Sequence, residues 1–423
     1  MTSWPDRRSA SSVPGAGSPT LRTLLARDLG RDARLHLVTP LAIGIAYYGL
    51  FVVAFNLYLV RLGYDTSFIG YLGAAGTACF IAFSLPAAAF GRRWGARRAL
   101  LVGTGAYLVG FTALPFADLL PLAARTPWLV TTYLIAFLGG PFYWVNGSLY
   151  LMAATEAGQR PRAFALRTAG LPFAGVVGSL IGGAVPGWFA LASGATLDDA
   201  APYRVALFAS GLAYLPAFLA TLASRDLRPP ADPPARSRPR LPWTLIAVVG
   251  VVEAARMAGE VGTYGFYNVH LDRLGVAPVL IGVVVAVGFA LSGVAALLAP
   301  TLTRRWGARP TIAGCMVAMA GAIALLALPT PAAAFVGYVA TVALAAVGMA
   351  ALSAYRMELV APAAWAAMAG VAVTGQGVGE SLVLLAGGVT IDAFGFAPYY
   401  LGVSALVLAG ALFVALRLRP TRG

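Results

Sequence analysis

The chain has 423 residues, 59% of them hydrophobic and 11% charged, with a mean hydropathy of +0.79. A soluble globular domain carries about 25% charged residues, so these charges cannot coat a water-facing surface of this size, and most of the chain is expected to face lipid. The formal net charge is +14, and all 30 basic residues are arginines; their placement along the chain marks membrane topology and argues against nucleic acid as a partner.

Residues 1–37 are polar and arginine-rich and read as a cytoplasmic tail. A cleavable signal is not expected, because the first apolar run is too long and no small-residue cleavage site follows it. A membrane-crossing helix needs about 20 mostly apolar residues. Six such runs fall near 38–60, 68–90, 98–117, 128–153, 164–190 and 204–223, giving a first bundle over 38–223. Residues 224–241, rich in proline and arginine, read as a solvated cytoplasmic linker. Six more runs near 242–268, 279–302, 310–329, 333–354, 366–388 and 398–416 give a second bundle over 242–416, and 417–423 form a cytoplasmic tail. Long continuous runs predict helices rather than the short alternating strands of a membrane barrel.

With both termini inside, every arginine falls on the cytoplasmic side except Arg61, Arg125, Arg204 and Arg273, which lie outside, and Arg256, which lies within a span. Arg167 and Arg356 are counted among the cytoplasmic ones. Arg356 and Glu358 are read either as interfacial anchors or as a cytoplasmic gate pair. Cys79 and Cys315 sit in apolar runs and form neither a disulfide framework nor a metal site. His36 and His270 are too far apart to suggest one. No metal or cofactor is expected. The glycine-rich TGQGVG (374–379) lies inside a predicted helix and follows no strand, so it is no dinucleotide fingerprint, and no enzymatic activity is expected.

The hexapeptide RRWGAR occurs at 92–97 and again at 304–309, an offset of 212 residues. Under that offset Asn56 falls on Asn268, Arg61 on Arg273, and Gly70 on Gly282. A second block, offset by 205, places Ser148, Tyr150 and Met152 on Ser353, Tyr355 and Met357, and Gly182-Gly183 on Gly387-Gly388. The hexapeptide is doubled because a whole six-helix unit is doubled. Six is an even number, so the copies share one orientation and are related by an axis along the membrane normal.

On these residues the chain resembles the major facilitator superfamily, over essentially its whole length. The family's signature between helices 2 and 3 is met by Arg93, Gly95, Arg97 and Arg98, with Ala88 for its glycine and Arg92 for its aspartate. Arg305, Gly307 and Arg309 match in the second copy, with Arg304 again replacing the aspartate. The resemblance implies twelve helices in two pseudo-twofold-related bundles, and a cytoplasmic gate at this motif to which Glu156 could contribute a carboxylate. Without the resemblance, a tight turn that needs glycine and an inside loop that wants arginine explain the motif equally well. The AGVVGSLIGG run keeps Gly178, Gly182 and Gly183 of an antiporter signature, with Ser179 for its proline; close packing of small residues is the plainer reading. An arginine pattern of drug–proton antiporters is absent from the fourth span.

The costliest residues lie in the seventh span. Each ionisable group at mid-membrane costs about 2.5–3.5 kcal/mol. Glu253, Arg256 and Glu260 fall on one helical face, which Tyr264 continues, with spacings that let Arg256 pair with either carboxylate. Glu380 lies midway along the eleventh span. The resemblance places these helices around a central cavity, to which Tyr47, Tyr48, Asn56, Asn146 and Trp144 are also assigned. One arginine against three carboxylates leaves a carboxylate free to take a proton or meet a cation. The alternative is a buried cluster that only fixes helix packing. The expected function is secondary transport of a small solute by alternating access, coupled to protons, with efflux antiport as one form. The alternatives are a uniporter, an organic-anion importer using Arg256, or a non-transporting sensor or assembly partner. The expected setting is the plasma (inner) membrane, with the chain a monomer whose partners are lipid, the solute and H+.

Overall fold

The computed structural model describes residues 29–227, 243–360 and 364–417. Most of the N-terminal tail, most of the linker and the final residues 418–423 therefore lie outside the described residues. Every regular element among those described is helical. Helix α1 spans Arg31–Arg61, with a π-helical stretch at Gly44–Phe51. It is followed by α2 (Thr66–Trp94), α3 (Ala96–Leu119), α4 (Leu122–Ala153), α5 (Arg160–Ser193) and α6 (Ala201–Ala223). In the second half α7 runs Trp243–Tyr264 and resumes at Tyr267–Arg273, and α8 runs Pro278–Ala296 and resumes at Ala299–Trp306. Then come α9 (Ala308–Leu325), α10 (Pro331–Glu358), α11 (Trp365–Phe394) and α12 (Phe396–Arg417). Eleven of these helices are long and apolar enough to cross a membrane. The first segment of α7 is set apart by its three charges.

The doubled hexapeptide builds the same turn twice. Gly95 (φ 94°) separates α2 from α3, and Gly307 (φ 86°) separates α8 from α9. An L side chain is strained at such φ values. At Gly95 a Cβ would in addition lie 2.9 Å from an Asp226 carboxylate oxygen. The last arginine of each copy then reaches the end of its own half's final helix. Arg97 donates to the Leu222 carbonyl of α6 at 2.6 Å, and Arg309 donates to the Ala415 carbonyl of α12. Helix C-termini leave such carbonyls unpaired and favour a cation.

The halves meet through α2 with α11, α5 with α8, and α1 with the second segment of α7. Glycines bring backbones into direct contact there. A Cβ on Gly282 (α8) would lie 2.3 Å from the Ser179 carbonyl of α5, and one on Gly388 (α11) 2.3 Å from the Thr66 carbonyl of α2. Each has an equivalent under the internal repeat: Gly70 (α2) against the Leu384 carbonyl of α11 at 2.3 Å, and Gly183 (α5) against the Pro278 carbonyl of α8 at 2.7 Å. Polar groups join the halves at the end of the bundle away from the two RRWGAR turns. Asn56 donates to Asn268 Oδ1 (3.0 Å) and to the Gly265 carbonyl (2.7 Å), while Asn268 donates to the Val52 and Val53 carbonyls. Arg61 binds Asp272 through both Nη atoms (2.8 and 2.7 Å). Asp392 of α11 takes the first amides of α2, Thr66 N at 3.2 Å and Ser67 N at 2.7 Å, together with both hydroxyls. Towards the end that carries the RRWGAR turns the contacts between halves run as far as Gly377 against Ile81 and Phe289 against Gly175 and Tyr48. Among the described residues no hydrogen bond, ion pair or ring contact joins the halves beyond that level. Polar contacts between the halves are thus gathered at one end of the bundle among the described residues.

Gly95→Ala and Gly307→Ala should each destabilise the protein by about 1–3 kcal/mol, read as a fall of several degrees in the unfolding temperature in detergent. Gly314→Ala, in a helix with open space around it, should be neutral or slightly stabilising. If these contacts lie on the outer side, as the arginine bias expects, and hold that side closed, Asp272→Ala combined with Asp392→Ala should speed labelling of a Phe55→Cys probe by an impermeant maleimide added outside, in a background without Cys79 and Cys315. An unchanged labelling rate would show that these contacts do not hold the seal.

Candidate functional site

The three charges of α7 are joined, with Glu253 and Arg256 buried and Glu260 partly exposed. Arg256 donates through Nε to Glu253 Oε2 (3.2 Å) and through Nη1 to Glu260 Oε2 (2.6 Å), so one guanidinium serves both carboxylates. The i,i+3 and i,i+4 spacings that put them on one face also close both pairs. Glu253 has two further partners: Arg356 of α10 at 2.8 Å on Oε1 and Gln376 of α11 at 3.0 Å on Oε2. This corrects the sequence reading of Arg356. It is neither an interfacial anchor nor a gate partner of Glu358, because its guanidinium turns inward to Glu253. The network ties α7, α10 and α11 together and matches two carboxylates with two guanidinium groups. Glu260 is its wettest member, with 26% of its side chain exposed.

Glu380 stands outside this balance and makes no ion pair among the described residues. Its polar neighbours are Thr77 of α2 and Glu260. It lines a cavity of about 70 Å³ between the halves, together with Tyr47, Phe51, Phe55 and Asn56 of α1 and Tyr264 of α7. Two backbone irregularities shape this space. The π-helical stretch of α1 carries Tyr47 and Tyr48, and π-turns recur at functional sites. The interruption of α7 after Tyr264 frees the Gly265 carbonyl that Asn56 takes. Tyr48 points to the neighbouring face and meets Phe289 edge-on at 5.8 Å. An aromatic ladder that the sequence reading missed completes the wall. Phe51 stacks on Phe55 at 4.4 Å, Phe55 on Tyr133 of α4 at 5.4 Å, and Tyr133 on Phe137 at 4.3 Å. Its signal was the i,i+4 spacing of Tyr47, Phe51 and Phe55, which one helical face presents together.

Asn146 and Trp144 do not join this group. Asn146 is buried against α2, where its amide donates to the Ala87 carbonyl at 3.2 Å and its side chain fills the space above Gly91. Trp144 lies nearer the cytoplasm, beside Tyr143 and the Arg167 guanidinium. Arg167 is not a loop residue as its sequence position suggested; it is buried within α5. In the loop motif, Arg93, Arg98 and Arg305 are exposed. Glu156 is exposed and makes no ion pair among the described residues, so the pairing expected of it is not formed in this conformation. Gly178, Gly182 and Ser179 pack α5 closely onto α1 and α8.

The family model of the Major Facilitator Superfamily matches residues 39–259. With that match over more than half of the chain, and with eleven helices among the described residues long and apolar enough to cross a membrane, the chain belongs to this superfamily of membrane transporters and is a multi-pass protein of the plasma membrane. No curated protein matches the chain. Among solved structures, the inward-open xylose transporter XylE from E. coli is 13% identical over 92% of this chain and 96% of its own, with a TM-score of 0.73. A D-xylose-proton symporter is 15% identical over 93% and 98%, also at 0.73. The nucleoside transporter NupG is 15% identical over 92% and 100%, at 0.70. At these identities the likeness is one of fold.

Arg356→Leu should leave Glu253 short of charge and cost about 3–5 kcal/mol. Pairing it with Glu253→Gln should recover part of that loss, giving a coupling of at least about 1 kcal/mol in a double-mutant cycle on thermal stability. Additive effects would mean that the bond between α7 and α10 contributes nothing.

Proposed function

We propose that the chain moves a small solute across the membrane by alternating access and that proton exchange at Glu380 drives the cycle. The observation that carries this is the charge count at the centre. Glu253 and Glu260 are answered by Arg256 and Arg356, and the remaining carboxylate lines the cavity between the halves. A bare carboxylate shut away from water costs about 2.5–3.5 kcal/mol, a bias of roughly a hundredfold against closure. A proton on Glu380, or a cationic group of the solute beside it, removes that penalty. The inward-open arrangement lets this carboxyl exchange its proton with the cytoplasmic side, and the opposite arrangement would let it exchange outside. A proton symporter among the structural relatives supports the same reading. Use of Arg256 to hold an anionic solute is less favoured, because both of its faces already meet carboxylates.

Glu380→Gln protein in proteoliposomes should lose uphill accumulation driven by a pH gradient. It should keep gradient-free counterflow of a solute first found by thermal-shift screening. Full gradient-driven accumulation with unchanged pH dependence in this variant would remove Glu380 from the coupling step.

A further inference from the structure

Arg167 and Arg256 are the two arginines that the structure buries, at 8% and 2% exposure. Arg256 is neutralised by two carboxylates. Arg167 has none among the described residues. Its Nη1 donates to Ser148 Oγ of α4 at 2.6 Å, and its guanidinium lies 5.5 Å from the ring centres of both Tyr143 and Trp144. Guanidinium offers five N–H donors in a flat fork, more than the Ser148 hydroxyl can take. Two polar groups near it are buried without a hydrogen-bond partner among the described residues, His36 Nε2 of α1 and the Tyr143 hydroxyl. His36 stacks on Tyr143 at 5.9 Å. These groups converge where α4 has no side chain: a Cβ on Gly147 would lie 3.4 Å from His36 Nε2 and 3.5 Å from Arg167 Nη2. Trp144, 37% exposed, forms the open side. On α4, Phe137 of the central cavity and Ser148 are eleven residues apart, about 16 Å along the helix, so this cluster is a separate place.

A buried cation with spare donors and no counter-charge is costly, and an acceptor anion relieves it. We propose that Arg167, His36, Tyr143 and Ser148 form a second binding site, in the cytoplasmic part of the N-terminal half, for the carboxylate of a small organic acid. One guanidinium charge balances a single negative charge and offers parallel N–H bonds to two oxygens of one carboxylate. A phosphate near its second ionisation would leave charge uncompensated. The exposed face of Trp144 suits a flat apolar body behind the carboxylate.

Benzoate is the probe, titrated into the purified full-length protein in detergent with unfolding temperature and tryptophan fluorescence as readouts, and with chloride and inorganic phosphate as parallel arms. Wild type should respond saturably to benzoate and more weakly to chloride and phosphate. Arg167→Gln should weaken benzoate at least tenfold, and Arg167→Lys should fall between. Gly147→Ala, which keeps the charge but fills the meeting point, should also weaken benzoate and guards against a folding failure of Arg167→Gln. No saturable benzoate response in wild type, tighter binding of phosphate than of benzoate, or wild-type benzoate affinity in a folded Arg167→Gln or Gly147→Ala protein would each overturn the proposal. These are equilibrium measurements without a gradient, so they are indifferent to whether Glu380 couples protons to transport.

Discussion

Charge withdrawn from water has to be answered by charge, and the interior of this protein is organised around that demand. Glu253 is held by two guanidinium groups and an amide from three different helices. The C-terminal half is thereby fixed around one buried carboxylate. Such a network is weak evidence for stability, since replacing a whole buried ion pair with apolar groups is often harmless. Its value here lies in what it leaves over. With the α7 charges matched, the chemistry of the central space falls to the residues that escape the match. Those are Glu380 and the tyrosines and asparagine around it.

The second organising feature is repetition. Both halves use a left-handed glycine to turn after their second helix and an arginine to cap their sixth. Both use a glycine in their fifth helix to lay backbone on the second helix of the other half. Part of the polar decoration does not repeat. The carboxylate that binds the start of α2 has no equivalent at α8, where Pro278 stands in place of Thr66 and offers no amide hydrogen. Chemistry is asymmetric on a symmetric frame, with the carboxylates of the central region in the C-terminal half and, in the N-terminal half, a buried guanidinium that meets no carboxylate among the described residues.

The fold was largely legible in the sequence because its signals are coarse. Twenty apolar residues, an arginine bias and a fixed offset survive errors of several residues at each helix end. The site was legible only in part. The α7 trio was readable because its members share one helix, where spacing alone decides which face they take. Arg356 was misread because its partner lies 103 residues away on another helix, and linear position near a helix end says nothing about which way a long side chain turns. Asn146 was misassigned for a related reason. A polar residue deep in a span can bond to a neighbouring helix's backbone as readily as it can face a cavity, and only the packing at Gly91 decides between them. The π-helical turn of α1 and the interruption of α7 leave no composition signature at all, yet both shape the cavity wall.

Asn56 and Asn268 are each other's counterparts in the duplication, and they meet at 3.0 Å. A contact between equivalent residues is the kind that two copies of one unit make across a twofold axis. The joint therefore does not depend on the peptide that links the halves. Severed from one another, the two six-helix pieces would still present matching amides, and with them a means of finding the right partner in the plane of the bilayer.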